Sequence, residues 1–237
     1  MQPYLFPYLG YFQLLSAVDE FWLLDDVQFI RRGWMNRNRI LVSGREHPFT
    51  VPVISGSRDR LVRDVNFHAD AVPALERLTR TMRHAYAATP GRTEAIEMLE
   101  SVISFANEHS SHLDFTTLTR YALLEFSIRL GVDTPVRRSS ELSMPTDIRG
   151  QQRIIAVCVG ADGSHYLNME GGRALYSPEQ FADNGIFLQF LSPVLRPYPQ
   201  SSGAFVAGLS ILDLVATVDR DRLNEMIREG QISDAVR

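Results

Sequence analysis

Apolar and polar positions alternate in blocks along the chain, and each block predicts an element. Tyr11–Val18 is a short apolar run that ends at Asp19 and reads as a helix, after an opening kept irregular by Pro3, Pro7 and Gly10. Phe21–Leu24 is a compact apolar run that stops at two carboxylates, the pattern of a buried parallel strand. Ile40–Val42 and Phe49–Val53 flank Ser43–His47 and predict a β-hairpin, with a further strand over Arg58–Phe67. From Asp70 to Gly131 the period turns helical. Leu75, Leu78 and Met82 share one face, as do Ile96, Leu99, Val102 and Ile103. Leu118, Tyr121, Leu124, Phe126 and Ile128 mark a third helix, stopped by Gly131.

The remainder alternates again. Strands are expected over Thr134–Ser139, His165–Asn168 and Ile186–Phe190, with helices over Gln151–Val159 and Ser177–Asn184, the latter capped by Ser177. Strands separated by helices imply right-handed crossovers and a parallel sheet. The expectation is one α/β domain over residues 1–237 with a Rossmann-like parallel sheet, residues 40–131 forming a hairpin and helical insertion.

Composition narrows the chemistry. All 24 basic residues are arginine, so a lysine Schiff base, a pyridoxal phosphate anchor and a Walker A motif are excluded. The net charge of −4 argues against a general nucleic-acid binder. A single cysteine, Cys158, excludes an internal disulfide framework and reads as a core residue of an apolar helix. No apolar run approaches the roughly 18 residues of a membrane span, and residues 1–7 lack a secretory pattern, so the cytoplasm is the expected location. His109 and His112 stand i, i+3 on a predicted helix but lack a third ligand in motif spacing, so no metal site is expected. Cofactor binding has no fingerprint of its own: Gly160, Gly163, Gly171 and Gly172 are turn glycines, although Gly171-Gly172-Arg173 after Asn168 also suits a ligand loop.

Candidate site residues lie mainly in the first forty. A strand ending in Asp25-Asp26 puts carboxylates at the carboxyl edge of a sheet, where open α/β folds bind ligands. Either can be a general base or a structural ion; if they alternate across the strand, one faces the ligand and the other pairs with Arg31 or Arg32. Asn36-Arg37-Asn38-Arg39 concentrates guanidiniums and amides beside Trp34. It is either a solvated turn or a grip for a phosphate, carboxylate or sugar with Trp34 as stacking face, and it is expected to face loop 2–10 near the end of the first strand.

Gln2-Pro3-Tyr4-Leu5-Phe6-Pro7-Tyr8-Leu9-Gly10-Tyr11-Phe12-Gln13-Leu14 resembles the opening signature of the WbqC-like protein family. Asp25-Asp26-Val27-Gln28-Phe29, Arg32-Gly33-Trp34 and Asn36–Ile40 resemble its second block. A weaker likeness runs from Tyr166-Leu167 through Tyr198, Gln200, Phe205 and Leu209–Asp213. The resemblance implies a bacterial protein of surface-polysaccharide or secondary-metabolite biosynthesis that transfers an acyl or aminoacyl (glycyl-like) group to an amino sugar or related metabolite. The donor would then be an acyl or aminoacyl carrier. Its candidate catalytic residues are Asp25 and Asp26. Its candidate binding residues are Gln2, Tyr4, Tyr8, Gly10, Tyr11, Arg32, Trp34, Asn36, Arg37, Asn38, Arg39, Tyr166, Asn168 and Gln200.

Two alternatives stay open. The spacing Pro3, Tyr8, Gly10, Tyr11 resembles the Pro, His, Gly, His spacing of the nucleotidyltransferase superfamily, which implies ATP-dependent carboxylate activation, but both histidine places carry tyrosine. A ligand-binding protein without chemistry is the other. Partners are then a small or carrier-bound substrate and a second copy in a homo-oligomer. Because a Rossmann-like unit begins with a central strand and Pro3 cannot donate a ladder bond, the native start is expected several residues upstream of Met1.

Overall fold

A computed structural model describes residues 1–54, 56, 59–109, 113–145, 147–201 and 203–235. Helix α1 (Leu9–Ser16) follows the opening loop; Leu9 through Leu15 are all buried, so it is a core helix rather than an amphipathic surface one. Strand β1 (Phe21–Leu23) follows. Strands β2 (Arg37–Val42) and β3 (Arg45–Thr50) pair antiparallel, with Val42 opposite Arg45. The turn is therefore Ser43-Gly44 alone. Both have positive φ (51° and 75°), which matches the twist of a two-residue hairpin turn. The expected five-residue turn is corrected, and so is the reading of Asn36–Arg39 as a loop, since most of it is strand.

The expected strand over Arg58–Phe67 is instead a 3-10 turn, Val62–Asp64, with isolated bridges Gln28↔Leu61, Val53↔Phe67 and Asn66↔Asp114; Arg58 lies outside the described residues. Val62 and Val65 are both buried, a spacing of three that suits a one-sided turn and not a pleat.

Helices α2 (Ala71–Ala85), α3 (Arg92–Glu108) and α4 (Phe115–Arg129) carry the helical middle. Leu75, Leu78 and Met82 are buried, as are Ile96, Leu99 and Val102. On α4 the buried face is Phe115, Leu118, Ala122, Leu123 and Phe126, whereas Ile128 faces solvent, and the Asp114 carboxylate caps the helix by accepting from the Thr117 amide (2.8 Å).

Strand β4 (Val136–Arg138) pairs parallel with β1, Phe21 opposite Val136. Then come α5 (Gly150–Gly160), β5 (His165–Met169), α6 (Pro178–Ala182), β6 (Phe187–Ser192), α7 (Ile211–Thr217), α8 (Arg220–Arg228) and β7 (Gln231–Asp234). β5 pairs parallel with β6, and β7 adds antiparallel to β6. The structure is thus mixed α/β with parallel strands and helices, but the parallel pairing is divided between β1–β4 and β5–β6. Ser177 precedes α6, yet its hydroxyl donates to Glu179 (2.7 Å) and caps no backbone amide. No helix among the described residues is long and apolar enough to cross a membrane.

The main core joins α1, β1, β2, α2–α4, α7 and α8, and a second cluster joins α5, α6 and β6. Gly91 lets α3 start against α7: a Cβ there would lie 1.9 Å from the Val215 carbonyl oxygen.

Candidate functional site

Loop 2–10 starts beside the carboxyl end of β1, where the Leu24 amide donates to the Met1 carbonyl (2.8 Å), and is clamped along its length. The Leu5 amide donates to the Met35 carbonyl (2.8 Å) and the Ile211 amide to the Pro7 carbonyl (2.8 Å). Phe6 holds a positive φ of 51°, an uncommon backbone for a bulky residue. Its carbonyl accepts from Asn38 Nδ2 and from Ser210 Oγ, both at 2.8 Å, which over-determines that conformation. Tyr8 bridges Ser210, whose amide donates to the Arg39 carbonyl (3.0 Å). The expected meeting of this loop with Asn38 is present, with Asn38 acting as an internal tie.

Three tyrosines line the loop. Tyr11 is buried, its hydroxyl donates to the Gln2 carbonyl (2.9 Å), and its ring packs on Tyr4 and Phe21. Tyr4 and Tyr8 are half-buried. Burial pushes both phenols up, Tyr4 adds to the effect on Tyr8, and Tyr11 lies well above the usual range. They are protonated hydrogen-bond donors at neutral pH. Gly10 is needed for close approach: a Cβ would stand 2.5 Å from Tyr8 Cε2 and 2.8 Å from Pro193 Cβ.

Beside this loop Trp34 is 50% exposed. The guanidinium carbons of Arg37 and Arg39 stand 5.4 Å and 5.8 Å from its ring centroid, within cation–π range. Arg37 also donates to the Arg32 carbonyl, with Arg32 at a φ of 59°. Arg39 pairs with Glu46 (2.7 Å) and donates to the Ala207 carbonyl (3.2 Å). The Nε atoms of Arg37 and Arg39 are buried without a partner. Asn36 is tied to Val51 through side chain and backbone, each at 2.9 Å.

Asp25 and Asp26 form a separate, enclosed knot. Asp25 is wholly buried and accepts from the Ser140 amide (2.9 Å) and hydroxyl (2.7 Å). Asp26 accepts from the Ser139 hydroxyl (2.7 Å) and pairs with Arg153, which also donates to the Pro145 carbonyl (2.6 Å). The expected split, one aspartate to the ligand and one to Arg31 or Arg32, is corrected. β1 ends at Leu23, so strand alternation no longer governs these two, and both turn to the residues that follow β4.

The more distant candidates sit elsewhere. Tyr166 stacks on Phe181 (5.5 Å) and meets Tyr176 edge-on; burial, then Tyr176, holds its phenol well above the ordinary range. Asn168 accepts from the Met169 amide (2.8 Å) and packs against Gly172. Both line a cavity of about 370 Å³ with Met1, Trp22 and Cys158. Cys158 is buried as expected, and burial pushes its thiol up to about 11. Gln200 closes its own loop on Val206 (2.8 and 3.0 Å), the segment that reaches Arg39 through Ala207. His109 stacks on Phe105 (4.1 Å); His112 lies outside the described residues.

Residues 2–225 match the WbqC-like protein family. The chain belongs to that family. This WbqC-like chain is also 27% identical over 214 residues to the uncharacterized protein Rv1507c of Mycobacterium tuberculosis, covering 90% of this chain and 89% of that protein. No solved structure matches.

The WbqC-like chain also contains polar contacts that its sequence hid. Asp213 is buried and accepts from the hydroxyls of Tyr86 and Tyr198 (2.6 Å for Tyr198), while the Leu41 amide donates to the Tyr86 oxygen (3.0 Å). Burial raises the Asp213 carboxyl, and burial with the nearby carboxylate raises both phenols. Tyr198 and Asp213 stand in the third block of the family likeness but without a role, and Tyr86, Ser139, Ser140 and Arg153 carry no such mark in the sequence. The one available signal was that Ser139-Ser140 follow a strand expected beside Phe21–Leu24, so the two strand ends share an edge.

Proposed function

We propose that this WbqC-like protein transfers an acyl or aminoacyl, glycyl-like group from a carrier thioester to the amine of an amino sugar or related metabolite. The acceptor's anionic group would lie on Arg37 and Arg39 and its ring against Trp34. The amine nitrogen bonds to the thioester carbonyl carbon, the C–S bond breaks, and the carrier thiol leaves with the proton. The observation that carries the reading is the exposed Trp34 flanked by two guanidiniums whose Nε donors are buried and unpaired. An anionic ligand would be met by the outer guanidinium nitrogens, whose planar fork suits a carboxylate or phosphate. Tyr4 and Tyr8 supply neutral donors beside it, and Asp25 and Asp26 position the edge through Ser139, Ser140 and Arg153. The parallel pairs and the loop ahead of α1 support a Rossmann-like arrangement of one α/β domain with residues 40–131 inserted.

ATP-dependent carboxylate activation is the second reading, favoured by the loop-then-helix placement of residues 2–16. It is weakened by Tyr11, whose hydroxyl is committed to the Gln2 carbonyl.

The test incubates the protein with acyl- and aminoacyl-carrier thioesters and nucleotide-linked amino sugars, with and without ATP, and weighs the sugar by mass spectrometry. A mass gain without ATP that Arg37→Ala abolishes is expected. Pyrophosphate release with a carboxylic acid points to the second reading. A thermal shift without turnover points to a binding protein.

A further inference from the structure

The turn over residues 30–33, which leads into Trp34, opens on a surface of mixed apolar and basic character. Ile30 is 48% exposed and Ile54 45%. Arg31, Arg32 and Arg63 are exposed around them, and Arg60 is half-buried. Backbone bonds hold these residues together. The Phe29 amide donates to the Arg60 carbonyl (3.0 Å), and the Arg63 amide to the Asp25 carbonyl (2.8 Å). The Arg60 guanidinium packs against Gly56, two residues past Ile54, where a Cβ would stand 2.8 Å from its Cζ. Val51 is paired with Asn36 through two bonds of 2.9 Å, which brings the segment leading to Ile54 alongside the one leaving Trp34.

Charge on this surface runs against that of the whole chain. The net charge is −4, yet these four arginines form no ion pair with a carboxylate among the described residues. Asp59 and Asp64 are exposed next to Arg60 and Arg63 in the chain and do not pair with them. Elsewhere Arg83, Arg137, Arg196 and Arg222 are each matched to a glutamate. Apolar anchors among free guanidiniums are the composition of a protein-binding surface, in which apolar contact supplies affinity and charge supplies orientation.

We propose that this surface docks an acidic carrier protein, which delivers the acyl or aminoacyl thioester to the Trp34 site. The proposal rests on the group-transfer reading above. The occupant is acidic because unpaired guanidiniums repel a basic surface and take carboxylates in their forks. It also presents apolar side chains, because a wholly polar partner would leave Ile30 and Ile54 uncovered. An acidic helix with apolar residues on the same face meets both demands. An RNA-borne donor meets only the first, since its phosphates leave the isoleucines in water. The location suits delivery. The Gly33 amide donates to the Ile30 carbonyl (3.4 Å), and the Arg37 guanidinium donates to the Arg32 carbonyl. A donor seated on Ile30 and Arg31 is thus one turn of chain away from an acceptor held at Trp34.

The test titrates the full chain with the acyl carrier protein of fatty-acid synthesis, charged as its acetyl thioester, by calorimetry at low salt. Binding should weaken at least about tenfold in the double variant Arg31→Glu with Arg63→Glu, and several-fold when salt is raised from about 50 to about 300 mM. Ile54→Ser should weaken it about fivefold and leave the salt dependence as it was. Both variants should melt within about two degrees of the parent, as exposed substitutions do. Transfer from the small donor acetyl-pantetheine should keep its rate in the double variant, because that donor needs no docking surface. Absence of carrier binding at low salt overturns the proposal, and so does binding that neither variant weakens. Bulk transfer RNA that binds where the carrier protein does not, and is lost in the double variant, overturns it by assigning the surface to a nucleic-acid donor. Carrier binding that both variants weaken, with no sugar acylated from any thioester, supports the docking surface and fails the group-transfer reading.

Discussion

Arg153 on α5 closes on Asp26 at the end of β1, 127 residues earlier, with side-chain exposures of 9% and 4%. The pair fastens a helix to a strand end. Asp26→Ala leaves the guanidinium buried without its counter-charge and should cost about 3–5 kcal/mol, read as a lower urea midpoint at unchanged slope. The double change Asp26→Leu with Arg153→Met should recover most of it. A stable but inactive Asp26→Ala would make Asp26 a reacting group instead.

Asp213 holds two buried phenols, and Asp213→Ala should destabilise by about 1–3 kcal/mol for each hydroxyl left without an acceptor. Tyr86→Phe should be costly too, since it also strips the Leu41 amide of its partner. Chemical denaturation checks both.

Binding at Trp34 should depend on fork geometry. Arg37→Lys keeps the charge and loses the planar donor pair, so affinity for a nucleotide-linked amino sugar should fall about tenfold by calorimetry. Stability should change much less than affinity, since the half-buried Arg37 makes no ion pair among the described residues and its guanidinium bonds a single carbonyl, that of Arg32. Equal affinity would reduce Arg37 to a point charge.

Gly10→Ala drives a methyl into the Tyr8 ring and Pro193 and should cost about 1–3 kcal/mol by overpacking. Its melting temperature checks this.

The chain starting at Met1 should lose stability as pH falls from 8 to 5. Its amine, with a folded pKa of about 5 against an ordinary 8.0, stays neutral when folded but takes up a proton when unfolded. The loss is up to about 4 kcal/mol over that window and levels off below it. N-terminal acetylation should flatten the slope, which melts at matched pH values measure.

Local patterns were legible. The faces of α2 and α3, the run Phe21–Leu23 and the Trp34–Arg39 cluster all announce themselves within a few residues. The hairpin boundary was missed because Ser43 takes a positive φ, which is uncommon for serine. Division of the parallel pairing was not legible, since period and composition say nothing about which strand edges meet. The Asp26–Arg153 and Tyr86–Asp213 contacts join residues 127 apart in both cases, and no short-range pattern marks them.

The carbonyl of Phe6 has a consequence for how the protein is made. Its two donors come from residues 32 and 204 positions further on, so half of the clamp is synthesised long after the loop it holds. Until Ser210 is free, Phe6 has only one of the two side-chain donors that hold its positive φ, a conformation it does not favour alone. The clamp on the Phe6 carbonyl is therefore complete only once Ser210 has joined Asn38, so the opening loop reaches its final shape late in folding.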